Sequence, residues 1–326
     1  MAQTINPARS LNLSGINLSD YGYGDVIDIA ANPASPAPGA PVTVVIDSNT
    51  TNLDLSQIVW SVNGKEVQNG IGIKSYTFTA GELGQKTTVS VKITTPQGAI
   101  DNQSISVTPG EVDMIWQTDT YTPPFYEGKA MYTTQSAVQV TAIPHMLGSN
   151  GAEINPANLL YKWTRDGSVI GNQSGYGRNT LTFSDTDLPR ETDVSVEVTS
   201  YDGTQTSRGF VAITPIPPKV ISYEDNPRLG VLSNKALIGD VTMKDQEITL
   251  TAYPFFFSAG LNGANMKYEW DMNGQPIDNS GSNHVVLRTT TDEEGNALVD
   301  VTAKQNNFIL QYADAQTMLY FNNKQN

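Results

Sequence analysis

Apolar and polar residues alternate along most of this chain, and turns cut the alternation at regular intervals. The cleanest runs are Val42-Thr-Val44-Val-Ile46, Tyr76-Thr-Phe78, Val89-Ser-Val91-Lys-Ile93 and Ile105-Ser-Val107. A second set follows in the same order: Val138-Gln-Val140-Thr-Ala142, Leu181-Thr-Phe183 and Val194-Ser-Val196-Glu-Val198. A third set gives Ile248-Thr-Leu250-Thr-Ala252, Val285-Val-Leu287 and Leu298-Val-Asp-Val301-Thr-Ala303. A period of two marks a strand with one buried face, whereas an amphipathic helix needs a period near 3.6. No long stretch shows the helical period, so the pattern predicts an all-β chain.

One stretch recurs three times within this pattern: Trp60-Ser-Val-Asn63-Gly64, Trp163-Thr-Arg-Asp166-Gly167 and Trp270-Asp-Met-Asn273-Gly274. Each is followed by an aliphatic residue, Val67, Ile170 or Ile277. Asn-Gly or Asp-Gly between alternating runs signals a hairpin, because both central residues of a type I′ turn need positive φ. Each copy therefore predicts a strand with an inward Trp, a tight turn and a returning strand. The Trp residues are 103 and 107 positions apart, the length of one small domain. Inside each unit the Val-x-Val strand lies 31, 33 and 31 residues beyond the Trp, at Val91, Val196 and Val301.

About seven short strands per hundred residues, with turn signals between them, is the pattern of an immunoglobulin-like sandwich. The expected fold is all-β, with three tandem immunoglobulin-like β-sandwich domains at 23–109, 110–217 and 218–326. Pro-rich segments, Asn32-Pro33-Ala-Ser-Pro36-Ala-Pro38-Gly39 and Pro215-Ile-Pro217-Pro218, mark an entry and a boundary. Residues 1–22 form an N-terminal extension. Its Leu11-Asn-Leu13-Ser-Gly-Ile16-Asn-Leu18 run fits a tail or a strand laid on the first domain, or a strand donated to a neighbouring subunit. Trp60, Trp163 and Trp270, with Val91, Val196 and Val301, are the expected structural core. Aliphatic packing takes the place of a disulfide there, since the chain has no cysteine.

The Trp-x-x-[Asn/Asp]-Gly turns and the following Val-x-Val strands resemble the tandem immunoglobulin-like and PKD-like modules of bacterial and archaeal cell-surface proteins. Trp270-Asp271-Met272-Asn273-Gly274 comes nearest to the PKD run. The resemblance implies an extracellular or cell-surface location.

Composition narrows the function classes. With 33 acidic and 19 basic residues, the formal charge is −14. That excludes the basic footprint of a nucleic-acid binder. No run approaches the ~20 apolar residues of a membrane span. Met1-Ala2-Gln3-Thr4 leads into polar sequence, without a signal-peptide pattern.

The sequence holds no catalytic constellation. The two histidines, His145 and His284, fall in different domains, and no Gly-x-Ser-x-Gly elbow or phosphate loop is present. No cofactor is expected. Calcium is the one metal the loops could take, through Asp185, Asp187 and Glu191 or through Asp292, Glu294 and neighbouring Glu293 and Asn296, although the Asp-x-Asp-x-Asp-Gly spacing is absent. Two aromatic segments are candidate binding groups: Tyr121, Phe125 and Tyr126, and Phe255 and Phe256 beside Tyr253 and Phe257. Exposed, they form a patch for a glycan or protein. The other reading packs them between consecutive domains. The expected role is a non-enzymatic surface spacer or adhesion module whose partner is a protein, a glycan or a further copy of itself. The alternatives are a filament or surface-layer subunit using residues 11–18, and a glycan-binding accessory module.

Overall fold

A computed structural model describes residues 27–148, 150–185, 189–258, 265–290 and 293–321. Its strands form six sheets, taken in order along the chain as three immunoglobulin-like sandwiches in tandem. The extension containing residues 11–18 lies outside the described residues.

The first sandwich contains β1 (Ile27–Asn32), β2 (Pro41–Ser48), β3 (Gln57–Val62), β4 (Lys65–Ile71), β5 (Ser75–Thr79), β6 (Thr87–Thr94) and β7 (Ile100–Val107). One sheet has the order β1-β2-β5 and the other β4-β3-β6-β7. Inward residues of both sheets, among them Val44 and Ile46 from one and Ile58, Trp60, Val91 and Ile93 from the other, make one core. The alternation of β2 and β6 in burial matches the alternation in sequence, because successive side chains of a strand point to opposite faces.

The second sandwich contains β8 (Glu111–Thr118), β9 (Ala137–His145), β10 (Leu160–Arg165), β11 (Ser168–Val169), β12 (Gly175–Tyr176), β13 (Thr180–Ser184), β14 (Thr192–Thr199) and β15 (Thr206–Ile213). Its sheets are β13-β9-β8 and β11-β10-β14-β15, with β12 on the edge of β10. The third contains β16 (Lys219–Asn226), β17 (Gly230–Ala236), β18 (Gly239–Thr242), β19 (Glu247–Phe255), β20 (Met266–Met272), β21 (Gln275–Ile277), β22 (His284–Arg288), β23 (Gly295–Gln305) and β24 (Tyr312–Phe321). Its sheets are β17-β16-β19-β22 and β18-β24-β23-β20-β21. Seven strands were expected per unit; here β17 and β18 are inserted between the first and second. β18 runs parallel to β24.

The repeated motif builds the same device three times. Trp60, Trp163 and Trp270 lie directly opposite Val91, Val196 and Val301 on the neighbouring strand. All six residues are buried. Each indole Nε1 donates to a backbone carbonyl: Ile73 at 2.8 Å, Arg178 at 2.8 Å and Ser282 at 3.0 Å. In every case that carbonyl stands two residues before the edge strand of the facing sheet, β5, β13 or β22. The Trp thus fills the core and hydrogen-bonds across it, which removes the cost of burying its one polar atom.

The turns are equally alike. Asn63, Asp166 and Asn273 have φ of 49°, 48° and 52°, and the following glycines 79°, 77° and 77°. Positive φ at both positions is the type I′ geometry. Each turn residue also grips the start of the neighbouring strand. Its N–H donates to the carbonyl of Thr88, Asp193 or Leu298. Its side-chain oxygen accepts the N–H of that same residue at 2.9, 3.0 and 2.9 Å.

The chain divides into two compact units. Unit 1 joins the first sandwich to the segments Met146–Glu153 and Asp202–Ser207. Unit 2 holds the rest of the second sandwich and the whole of the third.

Candidate interaction surfaces

The two aromatic segments meet inside unit 2. Phe255 and Phe256 are 5% and 6% exposed and pack with Tyr223, Phe125, Tyr126 and Met131. Phe125 meets Tyr223 at 5.2 Å and Tyr253 at 5.0 Å between ring centroids, both edge-on. Tyr126 meets Phe255 at 5.6 Å and Phe256 at 5.7 Å in the same manner. Tyr121 packs on the core of the third sandwich. Its N–H donates to the carbonyl of Phe257 at 2.7 Å and its carbonyl accepts the N–H of Phe256 at 2.8 Å. Burial raises the Tyr121 hydroxyl pKa, as it does those of Tyr223 and Tyr253. These rings are therefore mutual packing groups rather than a flat exposed platform.

An amide network lies beside them. Gln311 is 1% exposed. Its Nε2 donates to the Thr134 carbonyl at 2.9 Å and to Ser258 Oγ at 3.0 Å, while its Oε1 accepts the Ser258 N–H at 2.8 Å. Gln305 Nε2 donates to the Ser258 carbonyl at 2.7 Å, and Gln135 Oε1 accepts the Leu310 N–H at 2.9 Å. The loop between β23 and β24 is thus tied to the segment preceding β9. No sequence motif announces Gln311; an isolated glutamine in a polar loop carries no signal of burial.

The acidic candidates do not converge. Asp185 accepts hydrogen bonds from Arg165, from the Tyr132 hydroxyl at 3.2 Å and from Thr192 Oγ1 at 3.3 Å. Arg165 also lies over the Phe183 ring, 4.5 Å from its centroid. Burial first, and then the Asp185 charge, push the Tyr132 hydroxyl up to about 12. Asp185 is in this way committed to an arginine and two hydroxyls. Glu191 accepts from Thr214 Oγ1 at 2.8 Å. Glu294 is exposed, and Asp187 and Asp292 lie outside the described residues. Among the described residues, no group of three or more His, Asp or Glu is disposed to hold a metal. His145 faces Asp113 at 3.1 Å and His284 faces Ser282 at 2.8 Å, in separate sandwiches. Among the described residues, no helix is long and apolar enough to cross a membrane.

Two open apolar surfaces stand out among the described residues. The first is a groove of about 430 Å³ in the third sandwich, lined among others by Met243, Met272, Leu287, Ala297, Leu319 and Phe321. It opens at the end that carries the Asn273-Gly274 turn. The second is an apolar rim of the first sandwich, at the end away from its Asn63-Gly64 turn. Ile71, Gln57, Thr94 and Ile100 form one cross-strand row there. Ile71 and Ile100 are 66% and 58% exposed, and Leu55, just before β3, is 61% exposed.

No family model matches the chain, and no curated protein matches it. Among solved structures, the fibronectin(III)-like modules of Clostridium thermocellum CbhA are 12% identical, with 58% of this chain and 94% of that chain covered and a TM-score of 0.29. The three N-terminal domains of the bacteriophage RB49 highly immunogenic outer capsid protein are 13% identical, covering 91% of this chain and 99% of that one, with a TM-score of 0.26. A 1.5-MDa bacterial ice-binding adhesin is 11% identical over 91% and 96%, with a TM-score of 0.23. At such identities and scores these likenesses carry no conclusion about what the chain does.

Proposed function

We propose that this chain is a non-catalytic structural and adhesive module working outside the cell or at its surface. The observation that carries the reading is the second-to-third junction. Phe255 and Phe256 are buried, Phe125 and Tyr126 are half-buried against them, and the amide group of Gln311 is satisfied from both sides. Such a junction fixes one sandwich on the next, which is what a spacer needs and what a flexible string of binding domains lacks. Default inter-domain contacts are smaller and more polar, and leave domains free to move. The absence of cysteine and the net charge of −14 suit a soluble surface protein. The partner is a protein or glycan of that surface, or a further copy of this chain, and the role needs no cofactor.

NMR relaxation of the purified chain tests the mechanical part. Amides of the second and third sandwiches should report one common tumbling time, and independent tumbling would contradict the spacer. Fractionation of the source cells tests location: recovery from the cytosol alone would overturn a surface role. Turnover of a defined substrate by the pure chain would overturn the non-catalytic reading.

A further inference from the structure

The three sandwiches can be superposed by their own hydrogen bonds. The residue two beyond each Trp is Val62, Arg165 or Met272. On the facing sheet, Ile46, Ala142 and Ala252 of β2, β9 and β19 donate their N–H to the carbonyls of Lys74, Asn179 and Asn283, just before the edge strands. Four residues beyond those carbonyls stand Phe78, Phe183 and Leu287. These pairs mark the same end of each sandwich, the end with the Asn/Asp-Gly turn.

Among the described residues, that end is covered in two sandwiches and open in the third. In the second sandwich, Phe183 lies under the ring of Tyr132, 6.3 Å away and edge-on, and under the Arg165 guanidinium. Beside it, Thr134 and Gln135 bond the loop between β23 and β24, and Tyr121, ahead of them in the same β8–β9 connection, exchanges backbone hydrogen bonds with Phe256 and Phe257 of the loop after β19. In unit 1, Phe78 packs with Val42, Ala80 and Val107. Nearby, a Cβ on Gly84 would come within 2.8 Å of Leu147, and the segments Met146–Glu153 and Asp202–Ser207 belong to the same compact unit as the first sandwich. Leu147 and Ser207 belong to the β9–β10 loop and to the start of β15, the same two places in the sandwich order. In the third sandwich, Met272 and Leu287 instead line the open groove with Met243, Leu319 and Phe321.

Each junction inside the chain therefore uses one rule. The loops between the second and third strands, and between the sixth and seventh, seat on the turn end of the preceding sandwich. The first sandwich owns the same loops, and they hold or flank Leu55 and Ile100, both exposed. We infer that the third-sandwich groove is the seat for these first-sandwich loops from a second copy of the chain, so that copies join head to tail and repeat the internal junction. A contact of this kind uses two different patches, so it extends copy after copy into open strings wherever the rotation between copies does not close a ring. The inference rests on the structural-module reading, but its failure would leave that reading intact, since a monomeric spacer is still a spacer.

Sedimentation velocity from micromolar to millimolar chain, with negative-stain images at the upper end, tests it. The wild type should show concentration-dependent growth into unbranched strings. Met272→Arg installs the residue type that the second sandwich carries at that position and should block the groove. Ile100→Asp should block the rim, and Leu55→Asp is a second rim variant at another exposed site. Each variant should remain monomeric with an unchanged thermal midpoint. An equimolar mixture of Met272→Arg and Ile100→Asp should give dimers and nothing longer, because one intact rim meets one intact groove. A wild type that stays monomeric across the range would overturn the inference. So would strings that persist in the variants, which would point to assembly through residues 11–18 or another surface.

Discussion

Trp163 and Val196 face each other directly across β10 and β14, and the indole above that pair donates to the carbonyl of Arg178. The pair is buried on the inner face and the acceptor belongs to the facing sheet's edge. One side chain thus fixes the spacing of both layers. Replacing Trp163 by Ala should cost about 3–5 kcal/mol, the usual range for a buried Trp. Trp163→Phe keeps most of the apolar area but leaves the Arg178 carbonyl without its donor, at a cost of about 1–3 kcal/mol. Chemical denaturation of both variants checks the order, and Phe costing as much as Ala would show that the hydrogen bond dominates.

The turn residue is predicted to matter through its side chain as well as its backbone. Asn273→Gly keeps the positive φ but removes the acceptor for the Leu298 N–H, so a loss of about 1 kcal/mol is expected from that bond. Asn273→Ala loses the same bond and must also hold a left-handed conformation, at a further cost of about 1 kcal/mol. Unfolding midpoints should therefore fall in the order wild type, Gly, Ala.

Gln311→Ala should leave the Ser258 N–H and the Thr134 carbonyl unpaired in a buried place. The expected destabilisation is about 1–3 kcal/mol per stranded group. Hydrogen exchange should accelerate first at the Ser258 and Leu310 amides, while the amides of unit 1 should not change.

Alkali should attack the second sandwich late and steeply. The Tyr132 and Tyr161 hydroxyls are pushed up to about 12, chiefly by burial. Folding therefore favours the neutral phenol. This stabilisation is complete below the ordinary tyrosine value near 10 and is lost as pH rises through about 12. Ultraviolet titration of phenolate should show Tyr132 and Tyr161 ionising only as near-UV dichroism disappears.

At the acid extreme, Glu269 is held down to about 2 by hydrogen bonds from Lys267 and then Lys304, at 2.8 and 2.6 Å. Its contribution is present above the ordinary carboxylate range and lost as pH falls through about 2. The carboxylate is 45% exposed, so the effect on stability is small and salt-sensitive. A carbon-detected titration should place its midpoint well below the ordinary carboxylate range, and Lys304→Ala should raise it.

Much of this architecture could be read from residues alone. The Trp and Val positions emerge from period-two alternation, and alternation is a direct image of which face is buried. The Asn-Gly and Asp-Gly turns were equally legible, because so few residues adopt positive φ twice in succession. The inserted β17 was not, since its apolar residues Val231, Leu232 and Ala236 do not alternate with polar ones. Nor was the fate of Asp185: a carboxylate in a turn looks the same in sequence whether it awaits a cation or already holds Arg165. The aromatic segments allowed two readings because composition records rings but not what lies above them. The groove in the third sandwich was invisible for a related reason: Met272 and Leu287 alternate as core residues should, and among the described residues no ring covers them as Tyr132 covers Phe183.

The amide of Gln311 joins a late loop of the chain to a segment 177 residues earlier. Any pull, heat or denaturant that frees the last sandwich must break bonds that also hold the loop ahead of β9. Stretched from its ends, the molecule should give way in two events, the larger of them taking nearly two-thirds of the chain at once.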